Sequence, residues 1–281
     1  MIEAALFTLH LDRCTTLARR LLTQKSRPRL TSGLVAASLF LVAPWAAAAE
    51  LKVFSAGAVR APLGELVPQY ERATSHSVTI TYGTAGALRA LLEKGERADL
   101  VILPAEGMAE AEVRGWVQPG TPRDLAHVGI GVAVRKGAPL PDIATPQALK
   151  RALLDAKAVA YADPTRATSG RHVDAVVLPS LRIADEVRAK AKLQTEGSAG
   201  EFVSRGEADI AIQQISELLA VEGVTVVGPL PASLQKITIY SVAIATGASE
   251  PVPARELIEF LSSPASAAVF KAKGMDTGPV H

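Results

Sequence analysis

The sequence has a single cysteine, Cys14, which lies near the start of the chain. Everything after it therefore lacks the thiols needed for a disulfide, a thiolate metal site or a cysteine nucleophile. Aromatic residues are also scarce, at 4% of the 281 positions, whereas hydrophobic residues make up 48%. The chain is long and apolar enough for a substantial core, and we expect packing alone to stabilise it.

Motifs of phosphate, ester and metal chemistry are missing as well. The chain contains no G-x-x-x-x-G-K-[ST] phosphate loop, no G-x-G-x-x-G dinucleotide fingerprint and no G-x-S-x-G nucleophile turn. The histidines beyond residue 50, His76, His127, His172 and His281, do not have H-E-x-x-H spacing. We therefore expect a protein that is not an enzyme and that needs no metal or cofactor. An exported hydrolase has only scattered Ser, His and Asp residues in its favour.

Basic residues are concentrated at the start of the chain. Six of the 30 Lys and Arg residues precede Glu50, but only two of the 28 Asp and Glu residues do. An apolar stretch runs from Gly33 to Trp45. A basic region, a short apolar core and an A-x-A end predict a secretory signal peptide over residues 1–49 and export to the periplasm. A membrane anchor is disfavoured, because Pro44 interrupts a stretch shorter than the roughly 20 residues of a spanning helix. The mature chain has no basic stripe, so we expect no nucleic-acid partner.

Short β-branched segments alternate with helical patterns from Glu50 onward, which is typical of an α/β protein with mainly parallel sheets. The predicted strands cover residues 51–55, 78–82, 100–103, 128–134, 158–162, 210–213, 224–230 and 237–245. The predicted helices cover residues 59–73, 86–94, 146–154, 171–178, 183–189, 199–204, 254–261 and 264–273.

Two of the predicted strands, 128–134 and 237–245, are long, and Gly- or Pro-containing turns adjoin them. Strands about a hundred residues apart can pair and form a double crossover between two lobes. The sequence therefore predicts that residues 50–127 and 237–281 form lobe 1 and that residues 128–236 form lobe 2.

Four strand-to-helix junctions carry small or hydroxyl-bearing residues. They read "FSAGAV", "YGTAGA", "ATSGRH" and "EGSAGE". Free N–H groups at a helix start favour an anion, and small residues allow it to approach the backbone. Helix capping and turn formation explain any single junction equally well, but four in one exported α/β chain favour a ligand site. The candidate residues are Ser55, Ala56 and Gly57, then Gly83, Thr84 and Gly86, then Ser169 and Gly170, then Gly197 and Ser198. Arg171 and His172, beside the third junction, could neutralise a ligand's charge.

The segments "ELKVFSAGAVRAPLGELVPQYERAT", "VTITYGTAGALRALLEKGERADLVILPAE", "VGIGVAVRKGAP" and "YADPTRATSG" together resemble the molybdate-binding branch of the type II periplasmic binding proteins. The resemblance covers nearly all of residues 50–275. It implies two α/β lobes joined by two crossover strands, and capture of a small anion for an ABC-type permease. We expect such a receptor to be a monomer. By motif order, the resemblance places the ligand at Ser55 to Ala58, Gly83 to Ala85 and Gly86, Ser169, Gly197, Ser198 and Gln214.

The chain departs from the molybdate-receptor pattern at three places. Ala58 stands where a serine is typical, Thr84 is the only hydroxyl of the second junction, and Gln213 and Gln214 stand where a tyrosine is expected. Since amides both donate and accept hydrogen bonds, a different anion is possible. Molybdate or tungstate, another small oxyanion and a small organic carboxylate therefore all stay open as ligands, and the role can be transport or sensing.

Overall fold

A computed structural model describes residues 48–279 of the chain. The predicted signal peptide therefore lies outside the described residues, except for its last two alanines. No helix among residues 48–279 is both long and apolar enough to cross a membrane. The strands of this part of the chain are β1 Glu50–Ala56, β2 Ser77–Gly83, β3 Leu100–Pro104, β4 Arg123–Val128, β5 Ile130–Arg135, β6 Val159–Ala162, β7 Ala191–Gln194, β8 Ile210–Gln214, β9 Val224–Pro229 and β10 Thr238–Ile244.

Helices follow most of these strands. They are α1 Arg60–Thr74, α2 Ala85–Glu93, α3 Ala105–Val113, α4 Pro146–Asp155, α5 Thr168–His172, α6 Leu178–Leu181, α7 Ala184–Arg188, α8 Gly200–Ser204, α9 Ile215–Leu219, α10 Pro251–Leu261 and α11 Pro264–Ala272. Short 3-10 turns occupy Gly57–Val59 and Ala232–Leu234, and a π-helical segment, Val173–Val177, joins α5 to α6.

The strands form two five-stranded sheets with corresponding strand orders. The first has the order β2-β1-β3-β10-β4 and the second the order β7-β6-β8-β5-β9. In each sheet four strands run one way, and the strand next to one edge, β10 or β5, runs the other way. We call the first sheet with α1, α2, α3, α10 and α11 the first lobe, and the second sheet with α4 to α9 the second lobe. This arrangement confirms the predicted two-lobed α/β fold, with one reversed strand in each sheet.

The chain crosses between the lobes twice, and each crossing leads into a reversed strand. The first crossing leads into β5, and the second, the return crossing, leads into β10. The predicted strand 128–134 is in fact two strands that belong to different sheets, and Gly129 separates them. The return crossing leads into β10, which pairs with β4 and places Thr238 opposite Val128. Each lobe thus receives one strand whose direction is set by the chain's arrival from the other lobe.

The side chain of Gln235 fastens the two crossings together. Its Oε1 accepts a hydrogen bond from the backbone N–H of Ile130 at 2.8 Å, and its Nε2 donates to the carbonyl of Ile130 at 2.9 Å. Both backbone groups of Ile130 are therefore satisfied by one amide, which pairs the start of β5 with the segment that precedes β10. The lobes are joined by a linked pair of segments rather than by two independent strands.

Each lobe has its own apolar core around fully buried central strands. β3, β6 and β8 are buried along their whole lengths, as near-continuous apolar runs are when both faces of a sheet are covered. Tyr70 and Phe270 are among the large side chains of the first core, and Leu149 and Tyr161 belong to the second. These rigid central strands end at the edge where the lobes face each other.

The sequence patterns missed β4, β7, α3 and α9, and the predicted helix 171–178 ends at the first residue of α6. β4 and β7 lie at sheet edges, and their sequences, RDLAHV and AKLQ, are polar and lack a β-branched run. α9 is five residues long, too short for a helical period to be visible. α3, with the sequence AEGMAEAEV, has few large apolar residues to mark its buried face.

Candidate functional site

A cavity of about 510 Å³ lies between the two lobes. Its lining includes the last residues of six strands, which are Ala56, Gly83 and Pro104 in the first lobe and Ala162, Gln194 and Gln214 in the second. Ligands of open α/β sheets bind at such carboxyl ends, because the loops that follow can diverge around them. We call this space the interlobe cavity.

The interlobe cavity brings together most of the residues that the sequence singled out. Those in its lining are Ala56, Gly57, Ala58, Gly83, Thr84, Ala85, Ser169, Gly197, Ser198 and Gln214. All four junctions therefore contribute to one space, although their sequence positions span more than half of the described chain. Their role as ligand contacts stays a prediction.

Two predicted site residues are buried outside that lining. Ser55 is fully buried, and its hydroxyl donates to the carbonyl of Ala56 at 3.3 Å. Neighbouring side chains of a strand point to opposite faces, and of these two residues only Ala56 lines the cavity. Gly170 packs α5 against the end of β6, where a Cβ atom would overlap the carbonyl oxygen of Ala162. The small size of Gly170 therefore serves packing.

The other three residues outside the lining make contacts nearby. The N–H of Gly86 donates to the carbonyl of Arg166 at 3.4 Å, which joins the first lobe to the second. Arg171 is exposed, and Nε2 of His172 lies 2.8 Å from the carbonyl oxygen of Leu234. His172 thus contacts the segment that precedes β10, and neither Arg171 nor His172 is in the cavity lining, so their role in neutralising a ligand's charge stays a prediction.

The hydroxyls of the second and fourth junctions already accept hydrogen bonds from backbone N–H groups. Oγ1 of Thr84 accepts a hydrogen bond from the N–H of Ala87 at 3.2 Å. Oγ of Ser198 accepts from the N–H of Gly200 at 3.2 Å and donates to Oε1 of Gln213 at 3.3 Å. These side chains line the cavity, but part of their hydrogen-bonding capacity is already used to start a helix.

Each lobe contributes one guanidinium group to the cavity. Arg60 comes from the first turn of α1, and its Cζ lies 4.1 Å from the centroid of the Tyr82 ring. Arg166 comes from the loop after β6, and its Nη2 lies 3.9 Å from Oε1 of Glu196. A guanidinium binds a carboxylate through two parallel hydrogen bonds, so two such groups suit a ligand with more than one carboxylate.

Three carboxyl groups also line the cavity, and two of them have clear partners. Glu196 faces Arg166, as described above. Oε1 of Glu201 accepts from the N–H of Ser198 at 3.2 Å, and its Oε2 lies 3.7 Å from Nη1 of Arg205. The negative charges of Glu196 and Glu201 are therefore balanced by neighbouring arginines. The third carboxyl group, Glu217, has no cation within salt-bridge distance among the described residues.

Glu217 belongs to α9, directly after the end of β8. Burial raises the pKa of Glu217 from its ordinary value of 4.5 to about 7, because the charged form loses hydration. The neighbouring Gln213 amide and Arg60 guanidinium favour the charged form and offset this effect only in part. Glu217 can therefore gain or lose a proton close to neutral pH.

A tyrosine hydroxyl and an amide meet at the junction of the lobes. Oη of Tyr240, from β10, donates to Oε1 of Gln214, from β8, at 2.7 Å. Burial raises the pKa of Tyr240, and the charge of Glu217 raises it further, so this hydroxyl stays a donor. Gln213 and Gln214 stand where the resemblance led us to expect a tyrosine, and the hydroxyl of Tyr240, from β10, contacts Gln214.

Ser216 is a buried hydroxyl in the lining with no hydrogen-bond partner. Its side chain is 1% exposed, and its Oγ is unpaired within the described part of the chain. Buried polar groups are hydrogen-bonded in the great majority of cases, because an unmade bond costs about 1–3 kcal/mol. A polar ligand atom in the interlobe cavity would satisfy this hydroxyl.

The sequence analysis did not single out Arg60, Arg166, Ser216, Glu217 or Tyr240. The first four follow a cavity-facing strand end within four positions, so their distance from a strand end was the available signal. Tyr240 lies in β10, the strand that the chain enters on its return to the first lobe, and only the pairing of β10 with β3 and β4 places it here. Among the described residues, no three His, Cys, Asp or Glu side chains gather as a metal site.

Comparison with known proteins agrees with this architecture. The family model described as bacterial extracellular solute-binding protein matches residues 51–276. The aconitate isomerase of a Pseudomonas species is 33% identical over 262 residues, which cover 90% of this chain and 99% of that protein. The molybdate-binding protein ModA of Escherichia coli strain K12 is 25% identical over 85% of this chain and 94% of its own length.

A solved structure shares the fold at lower identity. The periplasmic molybdate-binding protein of Azotobacter vinelandii superposes with a TM-score of 0.70 at 20% identity, over 82% of this chain and all of that one. The resemblance seen in the sequence is therefore confirmed at the level of the family and of the fold. The chain belongs to the bacterial extracellular solute-binding protein family, as a relative of the type II molybdate-binding proteins.

Proposed function

We propose that this chain binds a small organic anion with two or more carboxylates in the interlobe cavity. The observation that carries the proposal is a cavity of about 510 Å³ with one arginine from each lobe, Arg60 and Arg166. Guanidinium groups on opposite walls can each bind one carboxylate of the same ligand. The unpaired hydroxyl of Ser216 offers a further hydrogen bond to the ligand.

The size of the cavity favours an organic anion over a tetrahedral oxyanion. Four oxygens at about 30 Å³ each occupy roughly 120 Å³, a small part of the space available. Pockets of several hundred Å³ are typical of larger organic ligands. The hydrogen bonds that Thr84 and Ser198 accept from backbone N–H groups also leave fewer hydroxyls for a compact oxyanion. Molybdate and tungstate, which the sequence suggested, therefore become competitors to be tested.

Capture would work by closure of the lobes about the two crossings. A ligand that contacts both arginines binds the closed arrangement better than an open one, and this difference in affinity drives closure. The Gly86 to Arg166 and Tyr240 to Gln214 hydrogen bonds already join the lobes. We further propose that the exported, monomeric protein hands its ligand to an ABC importer, with presentation to a sensor as the alternative.

The experiment is a thermal-shift panel on protein that begins at Glu50. The panel contains cis-aconitate, trans-aconitate, citrate, molybdate, tungstate, sulfate and phosphate. We expect the organic anions to raise the melting temperature, because a ligand at a hundred times its Kd stabilises the folded state by about 2.7 kcal/mol. Stabilisation by molybdate or tungstate alone would contradict the proposal.

A second candidate function is isomerisation of the bound anion. It is favoured by the 33% identity to an aconitate isomerase over 99% of that protein's length. Glu217, with its near-neutral pKa, suits a group that exchanges protons with a ligand. Proton NMR of trans-aconitate incubated with the protein tests this candidate, and appearance of cis-aconitate at a rate that scales with protein concentration would support it. Binding without conversion over long incubation would leave a receptor only.

We expect replacement of Arg60 by Met to weaken binding of the organic anion about tenfold to a hundredfold. Methionine has a side chain of similar length, so the variant keeps the apolar stem but loses the guanidinium. The hydrogen bonds removed are those of a charged group, which are worth about 1.5–3 kcal/mol. Isothermal titration calorimetry measures the change. Arg151→Met, on the exposed side of α4 and outside the cavity lining, is the matched control and should keep the parental Kd. Equal affinities of the two variants would argue against a role for Arg60.

A further inference from the structure

Glu217 is a carboxyl group placed among the groups that we expect to hold an anion. It lines the interlobe cavity, and its Oε1 lies 3.2 Å from the place where a Cβ atom of Gly57 would stand. Gly57 belongs to the first lobe and Glu217 to the second, so this carboxyl group sits where the lobes meet. Ser216, with its unpaired hydroxyl, directly precedes it in α9.

The groups around Glu217 come from both lobes. Arg60 faces it from α1, Tyr240 from β10 and the Gln213 amide from β8. Elsewhere in the cavity lining stand Arg166 with Glu196, and Glu201 with Arg205 beside it. Arg60 is therefore the cation that a charged Glu217 and a bound anion would have to share.

We propose that Glu217 binds the ligand in its protonated form, so that capture of one anion takes up one proton. The inference rests on the proposed function, because it requires an anion in this cavity. Two carboxylates in contact cannot both stay ionised without strong repulsion, and one of them keeps a proton. A protonated Glu217 removes the repulsion and donates an O–H hydrogen bond to the ligand carboxylate.

The other two carboxyl groups of the lining are poorer candidates for this proton. Glu196 and Glu201 each have a cation within 4 Å, and Glu201 also accepts a backbone hydrogen bond. Glu217 is the group that burial already brings to a pKa of about 7 in the absence of ligand. A bound anion raises that pKa further, so the proton is held more tightly in the complex than in the free protein.

The test measures the Kd of trans-aconitate by calorimetry between pH 6 and pH 9. From pH 7 upward the ligand's carboxyl groups, with ordinary pKa values near 4, are ionised even though their mutual repulsion raises the last of these pKa values. Below pH 7 Glu217 is largely protonated with and without ligand, so it adds no pH dependence to the wild-type Kd. Above pH 7 the Kd should rise by up to about tenfold per pH unit, or about a hundredfold between pH 7 and pH 9.

Glu217→Gln should remove the pH dependence, because an amide donates a hydrogen bond without titrating. Glu112→Gln removes one negative charge at an exposed position of α3 and should keep the wild-type profile. At pH 8 the heat of binding, measured in two buffers with different ionisation enthalpies, should give close to one proton taken up per ligand. That measurement uses only the wild-type protein and decides the question even where the Gln variant does not fold.

The outcomes separate the inference from the proposed function. A pH-independent Kd in the wild type, or a Gln variant that keeps the slope, overturns the inference and leaves the proposed function intact. If none of trans-aconitate, cis-aconitate and citrate binds at pH 6, the proposed function is overturned and the inference with it. A slope above pH 7 that disappears in Glu217→Gln and persists in Glu112→Gln supports both.

Discussion

Replacement of Gly170 by Ala should lower the free energy of unfolding by more than about 3 kcal/mol. A Cβ atom at this position would overlap the carbonyl oxygen of Ala162, lie 2.7 Å from its carbonyl carbon and lie 3.0 Å from the carbonyl carbon of Asp163. These are backbone atoms at the end of a buried strand, which cannot rotate aside as a flexible side chain can. Overpacking of a core costs about 1–3 kcal/mol even where side chains can adjust, so this site lies at or above the upper end.

Gly64→Ala is the matched control for Gly170→Ala. Gly64 lies in the interior of α1, is exposed, and has no atom within 4 Å of the position of a Cβ. Alanine is favoured over glycine in a helix by about 0.8–1.0 kcal/mol, so this variant should be slightly more stable than the wild type. Urea denaturation of both variants measures the difference. Equal stabilities would mean that α5 can move away from β6 at little cost, contrary to the packing described here.

Gly170 also shows why a ligand role could not be read from the third junction alone. The sequence Thr-Ser-Gly at a helix start fits both an anion site and a close contact between helix and strand. Only the position of the Ala162 carbonyl distinguishes the two explanations. Gly197 is similar, because it lines the cavity but also has a φ of 80°, a left-handed conformation that favours glycine.

The fold was more predictable from the sequence than the chemistry of the site. Apolar runs predict buried central strands such as β3 and β8, and the order of strands and helices then restricts the topology. The sequence pattern does not predict the polar edge strands β4 and β7, because an edge strand pairs with only one neighbour and needs little burial. The split at Gly129 follows from the change of lobe, which no local pattern records.

The ligand chemistry depends on a few side chains whose meeting is a tertiary property. Arg60 and Arg166 are separated by about a hundred residues, and neither lies in a motif that distinguishes a cavity arginine from a surface arginine. The pKa of Glu217 is raised only because the lobes bury it, and the neighbouring Gln213 and Arg60 offset that rise in part. The junction residues predict where the site lies, whereas we propose that these charged residues decide which anion it accepts.

In the ligand-free protein, Glu217→Gln should be more stable than the wild type, and the difference in unfolding free energy should grow as the pH rises from 5 to 8. Burial raises the pKa of Glu217 to about 7, compared with 4.5 when it is exposed, so the folded state holds this proton more tightly than the unfolded state. Below pH 4.5 both states are protonated, and the carboxyl group contributes its full stability. Between pH 4.5 and pH 7 that contribution is lost, and above pH 7 the loss is complete.

The size of the expected effect follows from the same two pKa values. One pKa unit corresponds to about 1.36 kcal/mol, so the wild type loses up to about 3 kcal/mol that the Gln variant keeps. Urea denaturation at pH 5, 6, 7 and 8 measures the difference in unfolding free energy at each pH. The difference should grow with pH for Glu217→Gln and stay flat for the exposed Glu112→Gln. A flat difference for both variants would mean that the free cavity keeps Glu217 hydrated, and hence that the ligand, rather than the fold, must supply any shift in its pKa.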